Sequence, residues 1–474
     1  MADDPWQLVA ELTKRNAEQA KLIDRLMIEV ADLKARVGMN PRNSSKPPSS
    51  EGYSKPSPKS RRVRSGKKPG KQPGTPGKNL PRRDEPDAMA THEPDVCSGC
   101  GEQLGGAPVV GESSRQVFDI PPGALSCIEH LSRRRRCSCG AETSGEFPPW
   151  VTAPTCYGPN MRARVCYLVT RQHIPIGRVA ELLADTYGAT VSTGTIVAMV
   201  NEGSDMLDEF LSSLQETLSE SPVVCADETG LRVAAKLHWV HSASTDWHTH
   251  YHVNTKRGVD AMNEAGILNF LDGVLVHDGW TPYRHYTNVD HQLCNAHHLR
   301  ELQAVTETGG QPWADDMATL LSETWKQVLA AKAAGRTRLP AEQIEHINTA
   351  YRQIIAAGHH TNPAPTATGK RGRPKRTKTG NLLNRLNTHQ TDVLRFTTNF
   401  DIPFDNNLAE RDIRMVKVHQ KISGGFRTLQ GATAFLNLRS YLSTANKHGI
   451  GALTALNHLY TGTTWTPALP AAGP

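Results

Sequence analysis

No stretch of this 474-residue sequence approaches the ~18 consecutive apolar residues that a membrane helix needs. The opening Met-Ala-Asp-Asp-Pro also lacks the basic and apolar regions of a secretory signal, so a cytoplasmic protein without a membrane partner is expected. Cysteine is scarce: there are nine. An odd number with four in two close pairs excludes a simple disulfide framework and points to a reducing compartment and a metal site. Acids are nearly missing between Pro41 and Arg83, where thirteen Lys or Arg stand against Glu51 alone. Such a local excess, within a net charge of +7, implies a polyanionic partner. The whole chain is 38% apolar and 21% charged, a soluble globular composition long enough for roughly three or four domains.

The first segment carries Val9, Leu12, Asn16, Gln19, Ile23, Leu26, Val30, Leu33 and Val37 at 3-4 spacing. That pattern predicts a coiled coil and hence a homo-oligomer, with Asn16 at an a position and Gln19 weakening the seam. Gly38 and Pro41 stop the helix. Residues 41–90 are rich in Pro, Gly, Ser and Lys, too poor in apolar side chains to offset their ordering entropy, and read as a disordered basic linker.

Two close thiolate pairs follow, Cys97/Cys100 and Cys137/Cys139. Gly99 and Gly101 allow a tight turn around the first pair, and two such pairs complete a tetrahedral zinc site. Cys127 is a spare thiol there, and His92 and His130 are substitute ligands. Arg133, Arg134, Arg135 and Arg136 run directly into the second pair, so the module reads as a small DNA-contacting finger. Gly177 to Gly188 and Ser192 to Val200 then give helix, glycine turn and capped helix, the pattern of a helix-turn-helix that reads DNA in the major groove.

From Ser221 the pattern turns to strands. Pro222–Ala226 ends in Asp227; Leu237–Ser242 and His250–Val253 follow; a helix from Val259 to Leu271 leads to Gly273–His277, ending in Asp278. Carboxylates at the ends of adjacent strands sit where α/β enzymes place their sites, and they repel each other unless a hard cation such as Mg²⁺ lies between them. Asp before Glu or Gly is equally well read as a turn residue. The third acid weighs against turns. Asp405-Asn406-Asn407 caps a helix on which Glu410, Arg414, Lys417 and Lys421 share one face, extended by Arg427. A carboxylate among cations suits a metal held beside a phosphodiester. No Ser or Tyr nucleophile signature is present.

These blocks together carry a family resemblance. Asn-Ser-Ser-Lys-Pro-Pro-Ser-Ser at 43–50, the cysteine pairs, Ala226-Asp227-Glu228-Thr229, His277-Asp278-Gly279-Trp280, Cys294-Asn295-Ala296-His297-His298-Leu299-Arg300 and Asn406-Asn407-Leu408-Ala409-Glu410-Arg411 resemble the DDE transposases of the insertion-sequence sixty-six family, the TnpC type. The resemblance implies a ribonuclease-H-like core with Asp227, Asp278 and Glu410 as the catalytic, Mg- or Mn-binding triad. His297, Arg300 and Asn407 would support it. It further implies element-end and target DNA as partners, accessory proteins of the same element, and a nucleoid-associated life in the cytoplasm. The helical stretch from Arg300 to Asp405 is similar to an insertion some such transposases carry. Its Arg371 and Arg373 either enter an A·T minor groove or grip phosphate.

The expected fold is a multidomain α+β chain: coiled coil at 1–40, basic linker at 41–90, zinc module at 91–150, helix-turn-helix-like region at 151–215, catalytic domain (a mixed sheet with helices) at 220–450 with its insertion at about 302–405, and a tail at 451–474. The expected activity is metal-dependent strand cleavage and strand transfer at insertion-sequence ends. A hydrolytic nuclease on the same fold and a non-catalytic DNA-binding regulator derived from a transposase are the competing readings.

Overall fold

The computed structural model describes residues 5–37, 80–120, 123–364 and 376–467. The chain forms two compact units, Tyr53–Leu125 and the rest. Helix α1 spans Pro5–Val37, and the expected stop at Gly38 and Pro41 lies outside the described residues. In the smaller unit, Cys97 opens a tight turn in which Gly101 donates its N–H to the Cys97 carbonyl at 2.9 Å. Gly101 takes φ +80°, a backbone state that favours glycine; Gly99 does not share that state.

The larger unit continues with a two-stranded hairpin, β1 (Arg134–Arg136) and β2 (Glu142–Ser144). Four helices follow: α2 (Pro159–Cys166), α3 (Ile176–Tyr187), α4 (Thr193–Asp205) and α5 (Asp208–Ser219). The helix pair α3–α4 forms as its punctuation predicts. Gly188 ends α3 in the left-handed region at φ 62°. The Ser192 hydroxyl accepts the Thr195 N–H at 3.0 Å and caps α4.

The sheet is built from β3 (Val223–Val233), β4 (Lys236–Ser244), β5 (Thr249–Asn254), β6 (Val274–His277) and β7 (Asp290–Leu293), with the short α6 (Val259–Glu264) between β5 and β6. Its order is β5-β4-β3-β6-β7. The first three strands run antiparallel, and β6 and β7 run parallel to β3. Two expectations are corrected. The helix expected over 259–271 stops at Glu264. Strand β3 does not end at Asp227: it runs on to Val233 and folds back through Ala234 and Ala235 into β4.

After β7 come α7 (Asn295–Gly309), α8 (Pro312–Ala333), α9 (Ala341–Thr361), α10 (Lys378–Thr388) and α11 (Gln390–Leu394). Their apolar faces share a core of their own, with Trp313, Leu321, Tyr351, Leu383 and Phe396 buried. Arg371 and Arg373 lie outside the described residues. The chain then returns to the sheet as α12 (Asn407–Ser423) and α13 (Leu429–Lys447), and closes with α14 (Ala452–Tyr460). The segment read as a tail therefore holds a packed helix. Leu456, Leu459 and Tyr460 are buried in the same core as α2, α4 and the sheet residues Val224 and Ala226. Among the described residues no helix is long and apolar enough to cross a membrane.

Candidate active site

Register brings the two aspartates together. Cys225 of β3 pairs with Val276 of the parallel strand β6. Asp227 and Asp278 each follow that pair by two residues, and they are near enough for the Asp278 charge to act on the Asp227 carboxyl. Strand β6 ends at His277, so Asp278 stands just past its end while Asp227 is carried on the continuing β3.

The turn after β6 is held by a relay of neutral imidazoles. The Gly279 N–H donates to His277 Nδ1 at 3.0 Å, so the His277 proton resides on Nε2. That nitrogen donates to His291 Nδ1 at 3.1 Å, and His291 Nε2 donates to the Tyr286 carbonyl at 3.0 Å. Burial holds His277 well below the usual imidazole range, which keeps the relay uncharged. Gly279 has φ +92°, and the Trp280 N–H donates to Asp278 Oδ1 at 2.8 Å.

Glu228, beside Asp227, is almost wholly buried, with 2% of its side chain exposed. Tyr283 donates its hydroxyl to Glu228 Oε2 at 2.6 Å, and Arg257 donates from Nε to Oε1 at 3.1 Å. The Arg257 guanidinium lies 4.0 Å from the Trp280 ring centroid and 4.6 Å from that of Trp239, a cation–π sandwich. This network ties the strand carrying Asp227 to the turn carrying Asp278. The sequence offered Glu228 only as a neighbour of Asp227, and gave no signal for Arg257 or Tyr283.

The third acid arrives through Asn406, the residue before α12. Asn406 is fully buried. Its side-chain amide donates to the Ala226 carbonyl at 2.8 Å, and its backbone N–H donates to Cys294 Sγ at 3.1 Å. Glu410 follows in the first turn of α12, its N–H bonded to the Asn406 carbonyl at 3.1 Å. Asn407, expected to support the site, instead places its exposed amide on Asp405 Oδ2 at 2.6 Å. His297 and Arg300 do meet the site: His297 Nδ1 is 3.5 Å and Arg300 Nη2 3.7 Å from Glu410 Oε1.

Asp227 and Glu410 are both held above the ordinary carboxylate range. Burial, then the charges of Glu228, Asp278 and Glu410, raise the Asp227 carboxyl well above its ordinary range. Burial also raises Glu410, with Arg300 opposing. His297 is pushed down to about 4, first by burial and then by Arg300. Glu410 Oε1 and His297 Nδ1 are buried without a hydrogen-bond partner. Buried like charges and an orphaned carboxylate oxygen fit a cation supplied from outside the chain.

The expected cationic surface is only partly open. Arg414, Lys421 and Arg427 are exposed. Lys417 is not free: its ammonium donates to the Gly230 carbonyl of β3. Around the β1–β2 hairpin Arg133, Arg134, Arg135 and Arg136 are all exposed, and Arg136 Nη2 and Arg134 Nη1 also pair with Glu142 at 2.5 and 3.7 Å. The Cys137 turn repeats that of Cys97: Gly140, at φ +90°, donates to the Cys137 carbonyl at 2.9 Å. The thiols of Cys97 and Cys137 are each lowered, chiefly by the backbone N–H groups of Cys100 and Cys139. All nine cysteines are free. Of the substitute ligands, His130 packs edge-on against Trp150 at 5.2 Å.

The class the comparisons support is that of transposase-type, nucleic-acid-processing proteins. The chain belongs to the Transposase IS66 family, whose model matches residues 154–434. The zinc-finger binding domain of transposase IS66 matches residues 94–140, and a family of unknown function matches residues 6–81. The chain is also similar to the uncharacterized protein y4jD of Sinorhizobium fredii (strain NBRC 101917 / NGR234). The two are 23% identical over 410 residues, covering 79% of this chain and 75% of that protein.

Proposed function

We propose that the protein binds the ends of an insertion sequence and catalyses their cleavage and transfer to target DNA, with Asp227, Asp278 and Glu410 as the catalytic acids. The observation that carries the reading is that two adjacent parallel strands, paired at Cys225 and Val276, lead two residues later to Asp227 and Asp278, while a helix tied to the first strand by Asn406 carries Glu410. The strand order, three antiparallel strands on one side and two parallel on the other, supports a ribonuclease-H-like core.

The three acids would hold divalent metal, Mg²⁺ or Mn²⁺, whose chemistry is to activate the attacking oxygen and stabilise the leaving one. The chain's own groups do the rest. The imidazole relay and the Glu228–Arg257 network fix the acids before substrate arrives. His297 and Arg300 orient Glu410. Arg414, Lys421 and Arg427 give α12 and its following loop an exposed basic surface for phosphodiester, and Arg133 and Arg135 give another on the β1–β2 hairpin. Zinc held through Cys97, Cys100, Cys137 and Cys139 belongs to the same proposal, since the matched zinc-finger segment carries both pairs. So does a homo-oligomer through α1. Its seam residues Val9, Leu12, Ile23, Leu26, Val30 and Leu33 are 47–56% exposed in the single chain, a stripe that a second copy would cover.

The test is incubation with Mg²⁺ and a labelled fragment carrying the ends of the element that encodes the protein. Joined products are expected. Cleavage without joining makes it a nuclease, and a gel shift without cleavage makes it a regulator. Asp227→Asn should abolish cleavage and joining while leaving binding intact; a variant that still cleaves fully removes Asp227 from the site.

A further inference from the structure

Among the described residues, one group of potential metal ligands lies within mutual reach, and it is not the acid triad. Cys294 Sγ, a His297 ring nitrogen and a Glu410 carboxylate oxygen all lie within 4.8 Å of one another. Cys294 precedes α7 and His297 sits in its first turn, so a C-x-x-H spacing sets both on one helix end. Glu410 reaches them from α12. His297 Nδ1 and Glu410 Oε1 are buried without hydrogen-bond partners, 3.5 Å apart. That separation is close to the ~3.3 Å edge of a tetrahedron whose ligands sit at about 2.0–2.1 Å from zinc. Cys294 Sγ already accepts the Asn406 N–H at 3.1 Å, the kind of bond that orients a metal-bound thiolate.

We propose that Cys294, His297 and Glu410 form a second metal site selective for a borderline-soft ion of the zinc class, and that its occupancy switches the enzyme off by withdrawing Glu410 from the acid triad. The donor set makes the choice. Thiolate and imidazole favour Zn²⁺ and its analogues over Mg²⁺, which takes hard oxygens. Three protein ligands leave a fourth position for water, as at reactive rather than structural zinc sites. On binding, the Cys294 S–H bond breaks, the sulfur keeps the electron pair as a donor, and the proton passes to solvent. The inhibitory half rests on the reading of Glu410 as a catalytic acid; the existence of the site does not.

Full-length protein, first saturated with one zinc for the knuckle cysteines and desalted, is titrated with Co²⁺. The expected result is a further equivalent bound with a thiolate-to-cobalt absorption band. Cys294→Ser should remove that band, and His297→Gln should weaken binding by roughly tenfold or more, the scale on which losing even a supporting group acts. Circular dichroism of both variants checks folding. No further equivalent in the wild type, or a band unchanged in both variants, overturns the site. In the cleavage assay, Zn²⁺ added over Mg²⁺ should inhibit the wild type by roughly tenfold and Cys294→Ser by under about twofold, each against its own Mg²⁺-only rate. Equal inhibition of the two overturns the switch. A wild type that never cleaves in Mg²⁺ fails the proposed function instead, while the cobalt titration still reads the site.

Discussion

The side-chain amide of Asn406 donates to the backbone carbonyl of Ala226 across 180 residues of chain, at 2.8 Å. This bond joins the helix that delivers Glu410 to the strand that delivers Asp227. Asn406→Leu leaves the Ala226 carbonyl without its donor in a buried setting. The expected loss is about 1–3 kcal/mol in urea unfolding, with strand cleavage falling more than DNA binding. Asn407→Ala, which removes an exposed bond to Asp405, should change stability by less than about 0.5 kcal/mol. Equal effects from the two substitutions would show that the tie is not what places Glu410.

The raised carboxyl of Asp227 sets a pH dependence for the magnesium-free protein. Its folded value lies above the unfolded one, so as pH rises out of the ordinary carboxylate range the folded state keeps a proton that the unfolded state has released. The charged form then costs stability, and the cost is complete once pH has passed the folded value. Asp227→Asn should therefore raise the melting temperature of the magnesium-free protein at neutral pH. That advantage should fade as pH falls to about 4. Thermal melts without and with Mg²⁺ read it: the metal should stabilise the wild type and leave the Asn variant unmoved.

The β3–β4 turn is made by Ala234 and Ala235 at φ 48° and 63°, where a Cβ is disfavoured. Left-handed backbone costs roughly 1–2 kcal/mol for a residue with a side chain. Ala235→Gly is expected to stabilise the protein by about 1 kcal/mol, seen as a higher urea midpoint with an unchanged slope. A loss of stability would mean that the alanine methyl packs more favourably than the strain costs.

The arginines of the β1–β2 hairpin should separate by their pairing. All four are exposed, but Arg134 and Arg136 pair with Glu142 whereas Arg133 and Arg135 do not. If the first two meet phosphates, replacing both by Ala makes the slope of log affinity against log salt shallower by about 0.9 for each phosphate no longer neutralised. Replacing the Glu142-paired arginines should change it less. Fluorescence anisotropy over a salt series on duplex DNA makes the comparison.

Local chemistry explains what could be read from the sequence. The α3–α4 pair was legible because Gly188 and Ser192 act on their own neighbours. The family was legible because six blocks recur in order. The extent of β3 was not, since a two-residue hairpin usually announces itself with Asn-Gly, and here two alanines make the turn. Asp227 stands out by its apolar run, but its place within a long strand depends on β4. Asn406 reads as part of a helix cap and Cys294 as part of a family block, but their bonds to Ala226 and to each other do not show, because the partners lie 180 and 112 residues away in the chain. Lys417 fitted the helical stripe by spacing, yet proximity to β3 turned it inward onto a carbonyl.

Helix α7 has its two ends in different company. Cys294, His297 and Arg300 stand at its beginning beside Glu410, while Leu302 and Val305 further along are embedded in the core of α8, α9 and α10. Its fifteen residues make a rod roughly 22 Å long. Such a rod tilts as a whole. A displacement of the α8–α10 core is thus coupled through one rigid helix to the side chains around Glu410.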